Sequence, residues 1–127
     1  MHRKLLSLAF VGLVCASANA TSQINVDELA DKVEPDVIKW RHHFHEFPEL
    51  SNREFKTAEY VASYLKSLGL QVQTGVAKTG VVAILDSGKP GPVVALRADM
   101  DGLPIEETSG VDWASTRPGK MHACGHD

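Results

Sequence analysis

The sequence predicts an α/β fold in which two amphipathic helices precede a set of short strands. Apolar residues recur every three or four positions as far as Leu68, and this spacing is typical of helices. From Leu70 the pattern changes to short runs rich in valine and isoleucine, separated by turn residues. The 127 residues, 43% of them hydrophobic and 23% charged, are sufficient for one globular unit.

The first helix is predicted over residues 34–47, after a short turn. Pro35 is best tolerated in a first helical turn, so we expect the helix to begin next to it. Pro48 is expected to end the helix. The apolar stripe consists of Val26, Leu29, Val33, Val37, Trp40, Phe44 and Phe47.

A second helix is predicted between a capping box and a glycine. Ser51 and Glu54 have the spacing of a capping box, in which each side chain bonds the backbone amide of the other residue. Gly69 stands where a helix commonly ends. The stripe of this helix consists of Phe55, Ala58, Val61 or Ala62, Leu65 and Leu68.

Three strands are predicted over residues 70–74, 80–86 and 92–98, with a turn at 87–91. The continuous apolar runs 81–85 and 93–96 favour strands that are covered on both faces. Two helices and three strands would leave part of such a sheet uncovered. We therefore expect a truncated reading of a longer protein, with completion by a partner as the alternative.

The first twenty residues have the three parts of a secretory signal peptide. Arg3 and Lys4 form the basic start, residues 5–14 the apolar run, and residues 18–20 the small-residue cleavage site. The apolar run is too short to span a bilayer, which takes about 20 residues. We expect cleavage after Ala20, a secreted or periplasmic product over residues 21–127, and no membrane attachment. A lipoprotein anchor at Cys15 is the weaker alternative, because the residues before it do not fit that pattern.

Charge and cysteine usage narrow the class of function. Removing residues 1–20 changes the balance from 13 basic and 16 acidic residues to 11 and 16, a net charge of about −5. No basic block remains, so nucleic acid is not an expected partner. Cys15 leaves with the signal peptide, and Cys124 stays as the one mature thiol in an oxidising compartment. Its histidine neighbours favour metal coordination.

His122, Cys124 and His126 form the first candidate metal cluster. In an extended segment alternate side chains point to the same side, so these three could face one ion. A thiolate and imidazoles suit a borderline-soft divalent ion such as zinc. Three donors do not complete a site, and a solvated, histidine-rich chain end is the alternative.

Asp99 and Asp101 form a second candidate cluster at the end of the strand predicted over residues 92–98. The carboxyl ends of strands are where open α/β sheets bind ligands. Paired carboxylates there could orient a metal-bound histidine or a water molecule. On spacing alone, the sequence favours solvated acids at a strand end, one of them paired with Arg97.

The histidines and tryptophans outside these clusters are predicted to be structural. His42 and His45 lie on the flank opposite the stripe, where we expect them to decorate the last helical turn and complement the helix dipole. Trp40 and Trp113 are predicted to be packing anchors.

Four sequence segments carry a family resemblance. They are residues 40–51 (WRHHFHEFPELS), 79–83 (TGVVA), 96–105 (LRADMDGLPI) and 122–127 (HACGHD). In this order they resemble the amidohydrolase branch of the aminoacylase and carboxypeptidase metallopeptidases. That branch includes hippurate hydrolases, N-acyl-amino-acid amidohydrolases and auxin-conjugate hydrolases. The resemblance covers nearly all of residues 37–127.

The resemblance implies the N-terminal part of a layered helix–sheet–helix catalytic domain. Cys124 and His126 resemble the first two metal ligands of the family, and Asp99 resembles the acidic residue that supports the metal cluster. Arg97 stands where many relatives have a ligand histidine. His45 matches the first histidine of the family's histidine-x-histidine-proline-glutamate stretch, whereas Phe47 departs from the second. The adjacent glutamates, the later histidine ligands and the dimerisation domain have no counterpart within the 127 residues.

The activity implied by the resemblance is hydrolysis of an amide that joins an acyl group to an amino acid. The implied cofactors are divalent ions, two in the complete protein: zinc or manganese, with cobalt or nickel as further candidates. The implied partners are a small N-acyl amino acid or peptide-like substrate and, for the complete protein, a second copy in a homodimer. The 127 residues alone are expected to be inactive.

Three alternatives stay open. The chain could be a cysteine hydrolase in which Cys124 attacks and His122 or His126 acts as base. It could also be a metal-binding or interaction module without turnover. Finally, the polypeptide could fail to fold alone.

Overall fold

The computed structural model describes residues 24–125, so the predicted signal peptide and His126 lie outside the described residues. Two helices come first, α1 (Val26–Glu46) and α2 (Phe55–Ser67), followed by two strands, β1 (Gln71–Val76) and β2 (Gly80–Ile84). This order confirms the predicted α/β class. Neither helix in the described range has the length and apolar character needed to cross a membrane.

The first helix is continuous and begins earlier than predicted. The side chain of Asn25 accepts a hydrogen bond from the Glu28 amide at 3.3 Å and so caps α1. Acidic residues in the first turn also stabilise the start of the helix, because their negative charges interact favourably with the positive end of the helix dipole. Pro35 therefore lies inside the helix, and the prediction of a separate turn before residue 34 is wrong. Pro48 ends α1 as predicted and is fully buried.

The second helix is capped by a different carboxylate from the one predicted. Oε2 of Glu49 accepts hydrogen bonds from the amide and the hydroxyl of Thr57, at 2.8 and 3.0 Å. The predicted capping box is wrong because Glu54 is engaged elsewhere: its carboxylate accepts from the Thr79 hydroxyl at 2.6 Å. The predicted end at Gly69 is confirmed. Gly69 has a φ of 79°, and its amide bonds the Lys66 carbonyl at 2.9 Å in a Schellman-type turn.

The contact between Glu54 and Thr79 ties the start of α2 to the start of β2. Both residues are buried. Burial alone raises the pKa of the Glu54 carboxyl, but hydrogen bonds from the Thr79 hydroxyl and from nearby backbone amides together outweigh burial and hold this pKa below its usual value. The carboxylate thus fixes the hairpin against the helix.

The two strands form an antiparallel hairpin with Gln71 opposite Ile84 and Thr74 opposite Val81. Irregular pairing near Gly75, which has a φ of 74°, precedes the turn. The helix α2 packs on both strands, and its Ala58 and Ala62 are the buried hydrophobic residues within 24–125. The predicted strands 70–74 and 80–86 are therefore present, with shifted ends.

The strand predicted over residues 92–98 is absent. A strand needs a hydrogen-bonded neighbour, and in the described part of the chain the sheet consists of β1 and β2 alone. Val93 and Leu96 are 97% and 96% exposed. The prediction of strands covered on both faces is also wrong for β2, since Val82 and Ile84 are largely exposed.

Candidate metal centre

Three segments from distant parts of the sequence meet beside Gly102. Its amide donates to the Glu49 carbonyl at 2.7 Å, and Leu50 and Gly102 form a parallel bridge. Leu103 and Met121 form an antiparallel bridge with hydrogen bonds of 2.8 and 3.0 Å. The structure thus brings two of the segments that carry the family resemblance together with Met121, which immediately precedes a third.

Glycine is needed at position 102 because the segments approach closely. A Cβ atom built there would lie 3.0 Å from Cβ of Pro48 and 3.3 Å from the carbonyl oxygen of Met121. Pro48 is fully buried and cannot move away easily. The close contact between the three segments is therefore possible because glycine has no side chain.

The predicted metal donors lie directly after this junction. The chain is irregular at His122, bends at Cys124 and turns at Gly125, so the predicted extended arrangement does not continue past Cys124. Cys124 and His122 are half-buried. Within residues 24–125, no three histidine, cysteine or acidic side chains stand close enough to hold a metal ion.

The donor types nevertheless fit a metal. A thiolate at Cys124 and an imidazole at His126 are ligands that a borderline-soft divalent ion such as zinc accepts. Catalytic zinc sites usually have three protein ligands, so a complete centre needs further ligands from outside the described range.

One member of the predicted aspartate pair, Asp99, forms an ion pair with Arg97. Nη2 of Arg97 donates to Oδ1 of Asp99 at 2.8 Å, and these side chains are 87% and 49% exposed. This is the contact that spacing alone favoured. Asp101 is half-buried next to the glycine junction. The supporting role of Asp99 at a metal stays a prediction.

The loop of residues 107–117 folds over the last turn of α1. Nε2 of His45 contacts Oε1 of Glu107 at 2.9 Å, and these side chains are only 14% and 4% exposed. The His42 ring stacks on Trp113, with centroids 3.9 Å apart and planes 11° apart. His42 and His45 lie near the carboxyl end of α1, as predicted, but the sequence pattern did not predict their contacts with the loop. A loop far along the sequence covers them, and helical periodicity carries no information about such a contact.

The tryptophan predictions are confirmed. Trp113 anchors the 107–117 loop on α1 through its stacking with His42. Trp40 packs edge-on against Tyr64 of α2, with ring centroids 4.7 Å apart. The two rings thus connect α1 to the loop on one side and to α2 on the other.

Glu107 is the acceptor that organises this loop. The Ser109 hydroxyl, the Ser115 amide and His45 all bond its carboxylate. The Ser109 and Ser115 hydrogen bonds, assisted by His45, outweigh the effect of burial and lower the pKa of Glu107 to about 2. No sequence pattern singles out Glu107, because a lone glutamate in a loop carries no signal of burial.

Stability of the loop should depend on pH through Glu107. Its folded pKa of about 2 lies below the reference value of 4.5, so its contribution is complete above pH 4.5 and is lost as the pH falls toward 2. We expect the near-ultraviolet circular dichroism of the stacked Trp113 to decrease over this range. In Glu107→Gln the signal should be weaker at neutral pH and its acid dependence flatter, whereas Glu28→Gln on exposed α1 should behave as the wild type. An unchanged acid profile in Glu107→Gln would contradict the assignment.

Comparison with known proteins identifies the relatives of this chain. Residues 95–127 match the family model described as Peptidase family M20/M25/M40. The chain is 51% identical to the N-acyl-L-amino acid amidohydrolase of Geobacillus stearothermophilus, over 80% of this chain and 28% of that protein. It is 43% identical to an IAA-amino acid hydrolase of Arabidopsis thaliana, over 98% of this chain and 31% of that protein.

A solved structure shares the fold. The YxeP protein of Bacillus subtilis, described as a dinuclear metal binding peptidase from the M20 family, superposes with a TM-score of 0.69 at 38% identity. The aligned part covers 76% of this chain and 27% of that one. These similarities relate the chain to metallopeptidases and to amidohydrolases. The chain is similar to the M20 peptidase family, whose model its residues 95–127 match, and it spans about a quarter of the length of the curated relatives that it matches.

Proposed function

We propose that the protein is a metal-dependent hydrolase of amide bonds in N-acyl amino acids or similar small conjugates. The observation that carries the proposal is the family match over residues 95–127, because this stretch contains Asp99, Cys124 and His126. Similarity to the N-acyl-L-amino acid amidohydrolase supports this substrate class. The pairing of Leu103 with Met121 supports it further, since it fixes the chain three residues before Cys124.

The residues of this chain would hold and orient the metal. Cys124 as thiolate and His126 as neutral imidazole would be two ligands. Asp99 would orient a ligand by accepting a hydrogen bond from it. The bound ion would polarise the substrate carbonyl and lower the pKa of a water molecule. We propose zinc or manganese, with cobalt or nickel as further candidates. Two ions are proposed because YxeP is described as dinuclear.

The proposal also includes the cellular location and the oligomeric state of the protein. The pattern of residues 1–20 supports cleavage after Ala20 and a secreted or periplasmic protein. The catalytic domain would begin at residue 21. For the longer protein we propose a homodimer, on the strength of the family resemblance alone.

The 127-residue chain by itself is proposed to be inactive. Among residues 24–125 no complete group of metal ligands is present. Part of a site can bind an ion weakly without activating water, because activation needs the remaining ligands and a base.

The test compares the 127-residue chain with a longer protein that carries further ligands. Both would be expressed with residues 1–20, recovered from the periplasm of a bacterial host, and assayed on hippurate and N-acetyl amino acids with zinc or manganese. We expect turnover, sensitive to chelators, from the longer protein only, and mass spectrometry should find Thr21 at the N-terminus. Turnover by the 127-residue chain that Cys124→Ala abolishes would overturn the proposal of inactivity. Detection of a thiol ester on Cys124, together with turnover that persists in the presence of a chelator, would support a cysteine hydrolase instead.

A further inference from the structure

The contact between His45 and Glu107 lies at the centre of the joint between α1 and the 107–117 loop. His45 is on the last turn of α1, and Glu107 begins the loop. The pair is nearly buried, so its hydrogen bond is little weakened by water. Glu107 also holds the far side of the loop through the Ser115 amide at 2.5 Å. One carboxylate thus joins α1 to both ends of the loop.

Further contacts on the same turn hold the loop in register. The carbonyl of Glu46 accepts from the amide and hydroxyl of Thr116, at 2.9 and 2.8 Å. The guanidinium of Arg117 lies 5.8 Å from the centre of the Phe47 ring, within the range of a cation–π contact. The loop is therefore fixed to α1 along its length, and not at a single point.

The fixed loop leads directly into the candidate metal-binding segment. After Arg117 the chain turns through Gly119, whose amide donates to Glu106 at 2.6 Å, and reaches Met121 at the bridge with Leu103. Cys124 follows three residues later. A change in the position of the loop would therefore be passed on to the Cys124 thiol through a short and well-bonded stretch of backbone.

We infer that His45 is a positioning residue for the metal-binding segment: by holding Glu107 it fixes the 107–117 loop on α1 and so places the thiol of Cys124. The inference rests on the proposed function, because it requires Cys124 to bind metal. In this inference His45 is not itself a metal ligand. Its effect on metal binding is indirect, through the loop, and the scale expected is set by partners bonded directly to metal ligands, which change metal affinity by about 10–100-fold.

The test measures Co²⁺ binding, using the absorption that a thiolate ligand adds to the cobalt spectrum. It would be applied to the 127-residue chain and to the longer protein. In His45→Leu, which removes the hydrogen-bonding ring, we expect Co²⁺ affinity to fall by about 10–100-fold. The amides of Ser115 and Thr116 should exchange hydrogen at least about tenfold faster. In His45→Gln, which keeps a donor for Glu107, both properties should return toward the wild type.

His43 provides the matched control, because it lies on the same turn but stacks on Tyr60 of α2, with ring centroids 4.8 Å apart. His43→Leu should weaken the contact between the helices and leave Co²⁺ affinity unchanged. Equal losses of affinity in His43→Leu and His45→Leu would overturn the inference, as would wild-type affinity in His45→Leu. If the wild-type proteins bind no Co²⁺ through a thiolate, the proposed function fails and the inference fails with it.

Discussion

Replacing Cys124 with alanine is expected to lower divalent-metal affinity by about 100-fold or more. Structural zinc sites gain about 10–16 kcal/mol from four ligands, so the loss of one ligand costs on the order of 3 kcal/mol. The half-buried position of Cys124 strengthens the expectation, because an uncharged methyl group there cannot replace a thiolate. Isothermal titration with Zn²⁺ would measure the change.

Two substitutions control for this prediction. Ala123→Ser alters an exposed neighbour and should leave the affinity unchanged. Cys124→His keeps a metal ligand and should retain part of the affinity, although the thiolate absorption with Co²⁺ should disappear. If Cys124→Ala binds Zn²⁺ as tightly as the wild type, the thiol is not a ligand and the proposed metal centre is wrong.

Replacing Gly102 with alanine is expected to separate the three segments that meet at this position. The added methyl group would lie 3.0 Å from Cβ of Pro48, and relieving this overlap costs about 1–3 kcal/mol. The bridge between Leu103 and Met121 should open more often as a result. Hydrogen exchange at the Leu103 and Met121 amides should therefore accelerate by about 10–100-fold, and metal affinity at Cys124 should fall with it.

Gly91→Ala is the matched control for Gly102→Ala. A Cβ atom at residue 91 would meet nothing within 4 Å, so the same chemical change there carries no steric cost. Exchange at the Leu103 and Met121 amides should match the wild type in this variant. Unchanged exchange in Gly102→Ala would show that the junction is looser than its distances indicate.

The sequence allowed the local elements to be predicted where the determining interaction was itself local. Both helices follow from a stripe of apolar residues, and Gly69 ends α2 through bonds within its own last turn. The two strands follow from short apolar runs, whereas their pairing as an antiparallel hairpin was not predicted. The start of α1 was predicted wrongly from Pro35. The cap at Asn25 determines where the helix begins, and the helix accommodates Pro35 in its interior.

The contacts that could not be predicted from the sequence pattern are those between segments that are distant in the sequence. Glu54 bonds Thr79 rather than Ser51, and Glu107 holds His45, although neither partner is near in sequence. The strand predicted at residues 92–98 is absent for a related reason, because a strand needs a hydrogen-bonded neighbour and none pairs with this segment within residues 24–125. Cys124 and His126 were singled out from donor type and family resemblance, and tertiary contacts played no part in that choice.

The uncovered apolar run beyond β2 affects how the chain behaves at high concentration. Val93, Val94 and Leu96 are exposed, and each strand of the hairpin has an outer backbone edge without a neighbour in the described structure. Segments of this kind pair with identical copies and nucleate aggregates. Purification would therefore favour dilute samples, and a lysine introduced at Val93 or Leu96 should improve solubility without touching the metal-binding segment.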